Sequence, residues 1–199
     1  MKQFALLLGK IFIFTTVPVV LAMSACFLIS SLLLYVVNFA SGNELLVDIG
    51  WGYFLPITIR LGLLTGAFMT LILAPIHYFQ VRKVAQGKSF DLSPIQQRKL
   101  VSKLNPSVVL KHCAFALQQL PARIVESDTG KNYITARTKA NCKTWGDVIR
   151  IDVAQLDNEN TQVKIVCRPS LKMTLVDYGR NYENAEKLLS LISKARITV

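Results

Sequence analysis

The sequence predicts an α+β membrane protein: a two-helix transmembrane hairpin, followed by a cytoplasmic domain whose helices pack on one face of a 4–5-stranded antiparallel sheet. Two uncharged apolar runs give the first part of this prediction, because no charged residue stands between Lys10 and Glu44 or between Arg60 and Arg82. A helix needs about 20 apolar residues to cross a bilayer, and both runs are long enough. The second part rests on a change of hydrophobic period, from helical to alternating, after Pro121.

The first span is predicted at about residues 10–38 and the second at about 53–79. The first apolar run is much longer than the hydrophobic core of a signal peptide, so we interpret it as an uncleaved anchor. Gly62 and Gly66 in the second span are spaced to allow close approach of another helix. The connecting stretch Ser41–Gly50 is short, which favours an antiparallel hairpin.

The distribution of Lys and Arg predicts the orientation. The loop between the spans carries Glu44 and Asp48 and no cation, whereas both flanks are basic. The positive-inside rule therefore places both termini in the cytoplasm, and the expected location is a bacterial inner membrane. The flanking cations are Lys2 and Lys10 before the first span and Arg82, Lys83 and Lys88 after the second.

Arg60 is a charge inside a predicted span. A buried guanidinium at this depth is costly, so it needs a route to water or an anionic partner. Two interpretations stay open. The side chain snorkels to the nearby interface, or it pairs with Glu44 or Asp48, with a lipid phosphate, or with a carboxylate on another subunit.

The net charge of +11 is concentrated in the second part of the chain. Residues 81–199 hold 20 Lys and Arg against 10 Asp and Glu, whereas residues 1–80 are nearly neutral. A basic domain beside a bilayer has anionic lipid headgroups as its first expected partner. Binding of nucleic acid could also explain the excess of Lys and Arg, but we do not expect it. The simplest explanation is that these residues set the membrane topology and keep the domain soluble. The predicted lipid contacts are Arg82, Lys83, Lys88, Arg98, Lys99 and Lys103.

The chain is predicted to divide into a hairpin at 1–81, a basic juxtamembrane linker with a short helix at 82–105, and the α+β domain at 106–199. Ser93 and Pro94 match an N-cap followed by proline, which predicts a helix over Pro94–Leu104. Asn105 and Pro106 repeat this signal for a helix ending near Leu120.

Strands and a final helix follow this second helix. Asp, Asn and Gly residues between the alternating segments indicate hairpin turns, and Asn181 is predicted to cap the last helix. The predicted strands are Arg123–Ser127, Tyr133–Thr138, Val148–Ala154 and Thr161–Arg168, with Leu171–Val176 as either a fifth strand or an extended loop.

The segment Asp177-Tyr-Gly179-Arg-Asn181, followed by Asn184 and Leu188-Leu189, resembles the end of small uncharacterised bacterial α+β domains. In these, a last strand leads into an aspartate, a glycine and an asparagine before a terminal amphipathic helix. The resemblance implies a fold type and no activity.

The sequence predicts no catalytic site, cofactor or metal. Cys113, Cys142 and Cys167 stand singly, without the paired spacing of zinc ligands. We predict that Cys113 and Cys167 belong to the core and that Cys142 is the candidate reactive thiol. Of the two histidines, His77 is predicted to anchor the membrane exit and His112 to be partly buried.

Asp147 and Asp177 each precede or follow a glycine turn, and they fit either turn and capping roles or a carboxylate site. The sequence therefore favours a non-enzymatic protein that acts through protein–protein interaction, as a subunit, adaptor or assembly factor of a membrane complex. The alternatives are an anionic-lipid-binding or lipid-handling protein and a membrane-attached enzyme with an unrecognised site.

Overall fold

The computed structural model describes residues 2–41, 51–140, 144–171 and 173–194. The chain falls into two compact units, Met1–Pro75 and Ile76–Val199. Its fold is α+β, with long helices and a five-stranded antiparallel sheet in the described residues, as the sequence predicts.

Two long helices begin the chain, α1 at Lys2–Ser41 and α2 at Trp51–Ala85. The stretches Gln3–Val37 and Leu55–Ala85 have mean hydropathies of 2.4 and 1.9, so both are long and apolar enough to cross a membrane. The predicted connecting loop, with Glu44 and Asp48, lies outside the described residues.

Within the first unit, α1 and α2 meet at the two glycines of α2. A Cβ atom added to Gly66 would lie 1.9 Å from Thr16 Oγ1, and one added to Gly62 would lie 2.3 Å from Val20 Cγ2. Helices can approach this closely only where one of them lacks a side chain. The close approach predicted from the glycine spacing is therefore present, and α1 is the helix that uses it.

Gly66→Leu should destabilise the helix pair by about 1–3 kcal/mol, because the new side chain has no space beside Thr16. Thermal unfolding of the full chain in detergent, followed by circular dichroism, measures the loss. Gly9→Leu in α1 is the matched control, since no atom lies within 4 Å of a Cβ at Gly9. Equal melting temperatures for the two variants would contradict tight packing at Gly66.

The second unit contains the sheet and two further helices. Strand order in the sheet is β1-β5-β4-β3-β2, and all neighbours are antiparallel. The elements are β1 (Gln96–Ser102), α3 (Pro106–Gln118), β2 (Ala122–Asp128), β3 (Tyr133–Thr138), β4 (Asp147–Gln155), β5 (Thr161–Pro169) and α4 (Arg180–Lys194).

Both helices pack on the same face of the sheet. Ile149 pairs with Cys167, and Ile151 pairs with Ile165, so these side chains share one face by strand alternation. They form a single buried core with residues of α3 and α4, such as Leu117 and Leu188. The opposite face has no described element over it, and Arg150 and Arg168 on that face are exposed.

The helix predicted over Pro94–Leu104 is wrong, because this stretch forms the edge strand β1. Its residues pair with β5 from Gln96 opposite Cys167 to Ser102 opposite Thr161. Gln, Arg, Lys and Leu favour a helix locally, but the open edge of β5 offers a full ladder of backbone hydrogen bonds. Ser93 does not cap a helix, and its hydroxyl accepts a hydrogen bond from Ile95 N in a turn.

The other strands and helices predicted for the second unit are confirmed within a few residues of their bounds. The side chain of Asn105 caps α3 by accepting a hydrogen bond from Ser107 N at 3.1 Å. In the β2–β3 turn, the Asp128 carboxylate accepts a hydrogen bond from Gly130 N at 2.9 Å. Of the two alternatives for Leu171–Val176, the loop is correct, because its described residues form no strand. The cap of α4 is different from the prediction, because Asp177 rather than Asn181 accepts the hydrogen bonds at its start.

Candidate functional site

The last turns of α2 form part of the interior of the second unit. His77, Val81 and Ala85 recur at four-residue spacing, share one face of the helix and are buried. His77 Nε2 lies 3.0 Å from Leu92 O. The prediction that His77 anchors a membrane interface is wrong, because its side chain is enclosed by the unit.

Asp177 lies between the end of α2 and the start of α4. Its Oδ1 is 3.8 Å from His77 Nδ1. Its carboxylate also accepts hydrogen bonds from Gly179 N at 3.1 Å and from Asn181 N at 2.9 Å. Tyr178 and Gly179 both have positive φ, which turns these N–H groups back toward the carboxylate. Asp177 therefore has the turn and capping role that the sequence suggested.

Asp147 is fully buried at the start of β4 and is paired with Arg180. Arg180 Nε donates to Asp147 Oδ2 at 3.0 Å, and Thr138 Oγ1 donates to the same oxygen at 3.2 Å. Desolvation raises the pKa of Asp147, the Arg180 guanidinium opposes this rise, and the nearby Asp177 adds to it. The carboxylate is thus engaged in linking α4 to the sheet.

The six predicted lipid contacts do not form one helical surface. Arg98 donates from Nε to Glu186 Oε1 at 2.6 Å and stacks over the Tyr182 ring, whereas Lys99 is exposed. Neighbouring residues of a strand point to opposite faces, so Arg98 and Lys99 cannot contact one flat surface together. Lys88 also bonds Glu186, at 3.4 Å. Arg82, Lys83 and Lys103 are exposed, and lipid contact by any of the six stays a prediction.

Arg60 is exposed on α2 and makes no ion pair with a described residue. Its predicted partners Glu44 and Asp48 lie outside the described residues, so that pairing remains a prediction. Its neighbours Ile59 and Leu61 are also exposed. Arg60 therefore stands on an apolar surface of the first unit.

A cavity of about 530 Å³ lies between the end of α2 and α4 in the second unit. Its walls include Lys88 and Lys187 together with Glu183 and Glu186. Because Lys88 and Glu186 bridge each other, the charges on its walls largely compensate. The cavity shows no preference for an anionic or a cationic ligand.

The cysteines are placed as the sequence predicts where they are described. Cys113 and Cys167 are in the core, and burial raises the pKa of each thiol to about 12, which keeps them protonated and unreactive. Cys142 lies outside the described residues, and His112 is half-buried. Among the described residues no group of three His, Cys, Asp or Glu side chains could hold a metal ion.

Sequence reasoning missed a row of arginines on the open face of the sheet. Arg123 is opposite Arg137, Arg137 is opposite Val148, and Val148 is opposite Arg168. All three arginines are exposed and none makes an ion pair with a described residue. Alternation within each strand puts every arginine on this face, but only the strand order brings them into one row.

Comparison with known proteins found no matching family model, no similar curated protein and no similar solved structure. The class of the protein is therefore defined by its own fold. It is an α+β protein with two helices long and apolar enough to cross a membrane, the second of which continues into the α+β unit.

Proposed function

We propose that this chain is a non-enzymatic bacterial inner-membrane protein that serves as a subunit, adaptor or assembly factor of a membrane complex. In this proposal α1 and α2 cross the membrane, and both termini and the α+β unit are cytoplasmic. The single observation that carries it is the exposure of Arg60 on the apolar surface of α2.

A guanidinium facing hydrocarbon costs about 2.5–3.5 kcal/mol near the centre of a span, and less toward the interface. Arg60 is about 14 Å along α2 from Trp51, from the helical rise per residue. No described residue offsets its charge. An acidic group on a neighbouring membrane subunit would remove the cost and would make the contact specific, which supports a role in assembly.

Arg60→Leu should insert into the membrane at least as well as the wild type, because losing the charge favours partitioning, but it should lose its partner. Crosslinking in native membranes followed by co-purification measures the partner. Arg60→Lys keeps a charge and is the matched control, and it should retain part of the complex. A topology reporter fused after Val199 should be located in the cytoplasm in the wild type and in both variants.

Normal assembly of Arg60→Leu would contradict the proposal, since Arg60 would then be a snorkelling residue on a simple anchor. A reporter that reads as external would contradict the orientation instead.

Binding of anionic lipid is the second candidate function. Arg82 and Lys83 are exposed in the last turns of α2, directly after the uncharged run that follows Arg60. Juxtamembrane cations contribute about 1 kcal/mol each at an anionic surface. Lipid retained through detergent purification would favour this function. The enzyme alternative gains no support from Asp147 or Asp177, because both are buried and engaged.

A further inference from the structure

One end of the second unit, which we call the proximal end, is where the chain enters at Ile76. His77 lies beside Asp177 just before α4, and Arg180 at the start of α4 pairs with Asp147 at the start of β4. These contacts bring the first turn of the unit close to the start of α4, the start of β4 and the end of β5. The β2–β3 and β4–β5 turns are at the opposite, distal end.

Three large apolar side chains are exposed at the proximal end. Trp145 is 75% exposed, Leu171 50% and Met173 73%. Their two loops are joined by a hydrogen bond from Ser170 N to Gly146 O at 3.0 Å. Large apolar side chains exposed close together mark an interaction site, and tryptophan is the side chain most typical of a membrane–water interface.

The row formed by Arg123, Arg137 and Arg168 borders the same end of the sheet. Arg168 is followed directly by Pro169 at the end of β5, and Arg137 lies one residue from the end of β3. Like charges directly opposite each other on neighbouring strands repel, as Arg123 and Arg137 do. A bound anion would remove this repulsion.

Exposed carboxylates occur at both ends of the second unit, but the open face of the sheet near the row of arginines carries none among the described residues within the last two pairs of β3 and β4. Asp157 and Glu159 stand in the β4–β5 turn at the distal end. At the proximal end Asp147 and Asp177 are buried, and Asp91 and Glu183 are exposed acids among its described residues. Glu183 belongs to α4, which packs on the face of the sheet opposite the row of arginines. The proximal end thus combines exposed apolar side chains with a row of arginines that make no ion pair with a described residue.

We infer that the proximal end docks on the anionic lipid surface, with Trp145, Leu171 and Met173 in the headgroup layer and Arg123, Arg137 and Arg168 on lipid phosphates. This inference rests on the proposed function in one respect, that α2 crosses a bilayer. If it does, the bilayer ends near Ile76, because the side chains of His77, Val81 and Ala85 further along α2 are already buried inside the second unit. Continuity with the span and charge complementarity therefore favour lipid over an acidic protein.

The test uses the full chain with Trp51→Phe, which leaves Trp145 as its tryptophan. The protein is reconstituted in vesicles of phosphatidylcholine with or without phosphatidylglycerol, each with brominated acyl chains. In the anionic vesicles, Trp145 emission should shift to shorter wavelength and should be quenched by bromine. Both effects should be weaker in phosphatidylcholine alone.

Two matched variants assign the effect to the arginine row. Arg123→Gln, Arg137→Gln and Arg168→Gln together should lose most of the wavelength shift and quenching. Lys111→Gln, Lys131→Gln and Lys194→Gln together remove the same charge from exposed positions elsewhere, and they should behave as the parent.

Each contrary result overturns the inference in a distinguishable way. Water-like emission without bromine quenching, in protein that floats with the vesicles and resists carbonate extraction, overturns lipid docking and leaves the anchor intact. Failure to integrate overturns the proposed spans themselves. Equal quenching in neutral vesicles, or in the arginine variant, overturns binding to phosphates. Shielding of Trp145 in native membranes but not in lipid vesicles overturns lipid as the occupant and assigns the surface to a protein.

Discussion

Replacing Arg180 by Gln should destabilise the α+β unit by about 3 kcal/mol at neutral pH, at the lower end of the range for breaking a buried ion pair. Asp147 is fully buried, and Arg180 is its cationic partner at 3.0 Å. Without the guanidinium, Asp147 either keeps an uncompensated charge in the interior or takes up a proton. The Arg180 side chain is 24% exposed, which is why we expect the lower end of the range.

The loss should depend on pH, with a sign fixed by Asp147. Desolvation raises the pKa of Asp147 and Arg180 opposes the rise, so the Arg180→Gln variant should have a still higher folded-state pKa. The folded variant then binds a proton more tightly than the unfolded chain, in which an aspartate has a pKa of about 3.9. Stability of the variant relative to wild type should therefore be greatest at acid pH and fall as pH rises through the folded-state pKa.

Urea unfolding of the full chain in detergent, followed by near-ultraviolet circular dichroism over a pH series, measures this effect. The control is Arg180→Gln combined with Asp147→Asn, which removes the charge that would be left unpaired. It should recover most of the stability and lose the pH dependence. A double variant as unstable as Arg180→Gln alone would show that the loss comes from packing and not from charge.

Gly179→Ala should give the second large effect, a loss of about 2–5 kcal/mol in the free energy of unfolding. Gly179 has a φ of +78°, which costs about 1–2 kcal/mol for a residue with a Cβ. The added Cβ would also lie 3.2 Å from Val81 Cα, against the backbone of α2, and overpacking adds about 1–3 kcal/mol. The substitution should therefore loosen the last turns of α2 from the start of α4.

Gly87→Ala separates the two causes. Gly87 has a φ of +86°, but no atom lies within 4 Å of a Cβ there, so it should show only the conformational cost. The rate at which a maleimide labels Cys167 reports opening of this region, because the thiol is buried. The rate is followed on the Cys167 peptide by mass spectrometry, since exposed Cys26 reacts in every variant. Faster labelling in Gly179→Ala than in Gly87→Ala is expected. Equal rates would mean that contact with Val81 contributes nothing.

Elements whose signals are local can be predicted from the sequence alone. Uncharged length defines the two apolar helices, alternation defines β2 to β5, and Asn105 followed by Pro106 defines the start of α3. In each case the residues that form the sequence pattern also make the contacts that stabilise the element. A cap bonds its own helix, and a turn aspartate bonds its own turn, so no distant residue is needed to predict either.

Long-range contacts, by contrast, are needed to explain β1, the burial of His77, the Arg180–Asp147 pair and the row of arginines. The stretch Gln96–Ser102 is compatible with a helix and becomes a strand because β5 offers its edge. His77 at the end of an apolar run fits a membrane anchor until Leu92 and Asp177 are placed beside it.

The Arg180–Asp147 pair and the arginine row both depend on residues far apart in the chain. Arg180 lies 33 residues from Asp147, and the row of Arg123, Arg137 and Arg168 exists only in the strand order β5-β4-β3-β2. Periodicity gives the face of a residue but not its neighbours on other strands. Those neighbours are set by the long-range packing of the core, which outweighs local preference wherever the two differ.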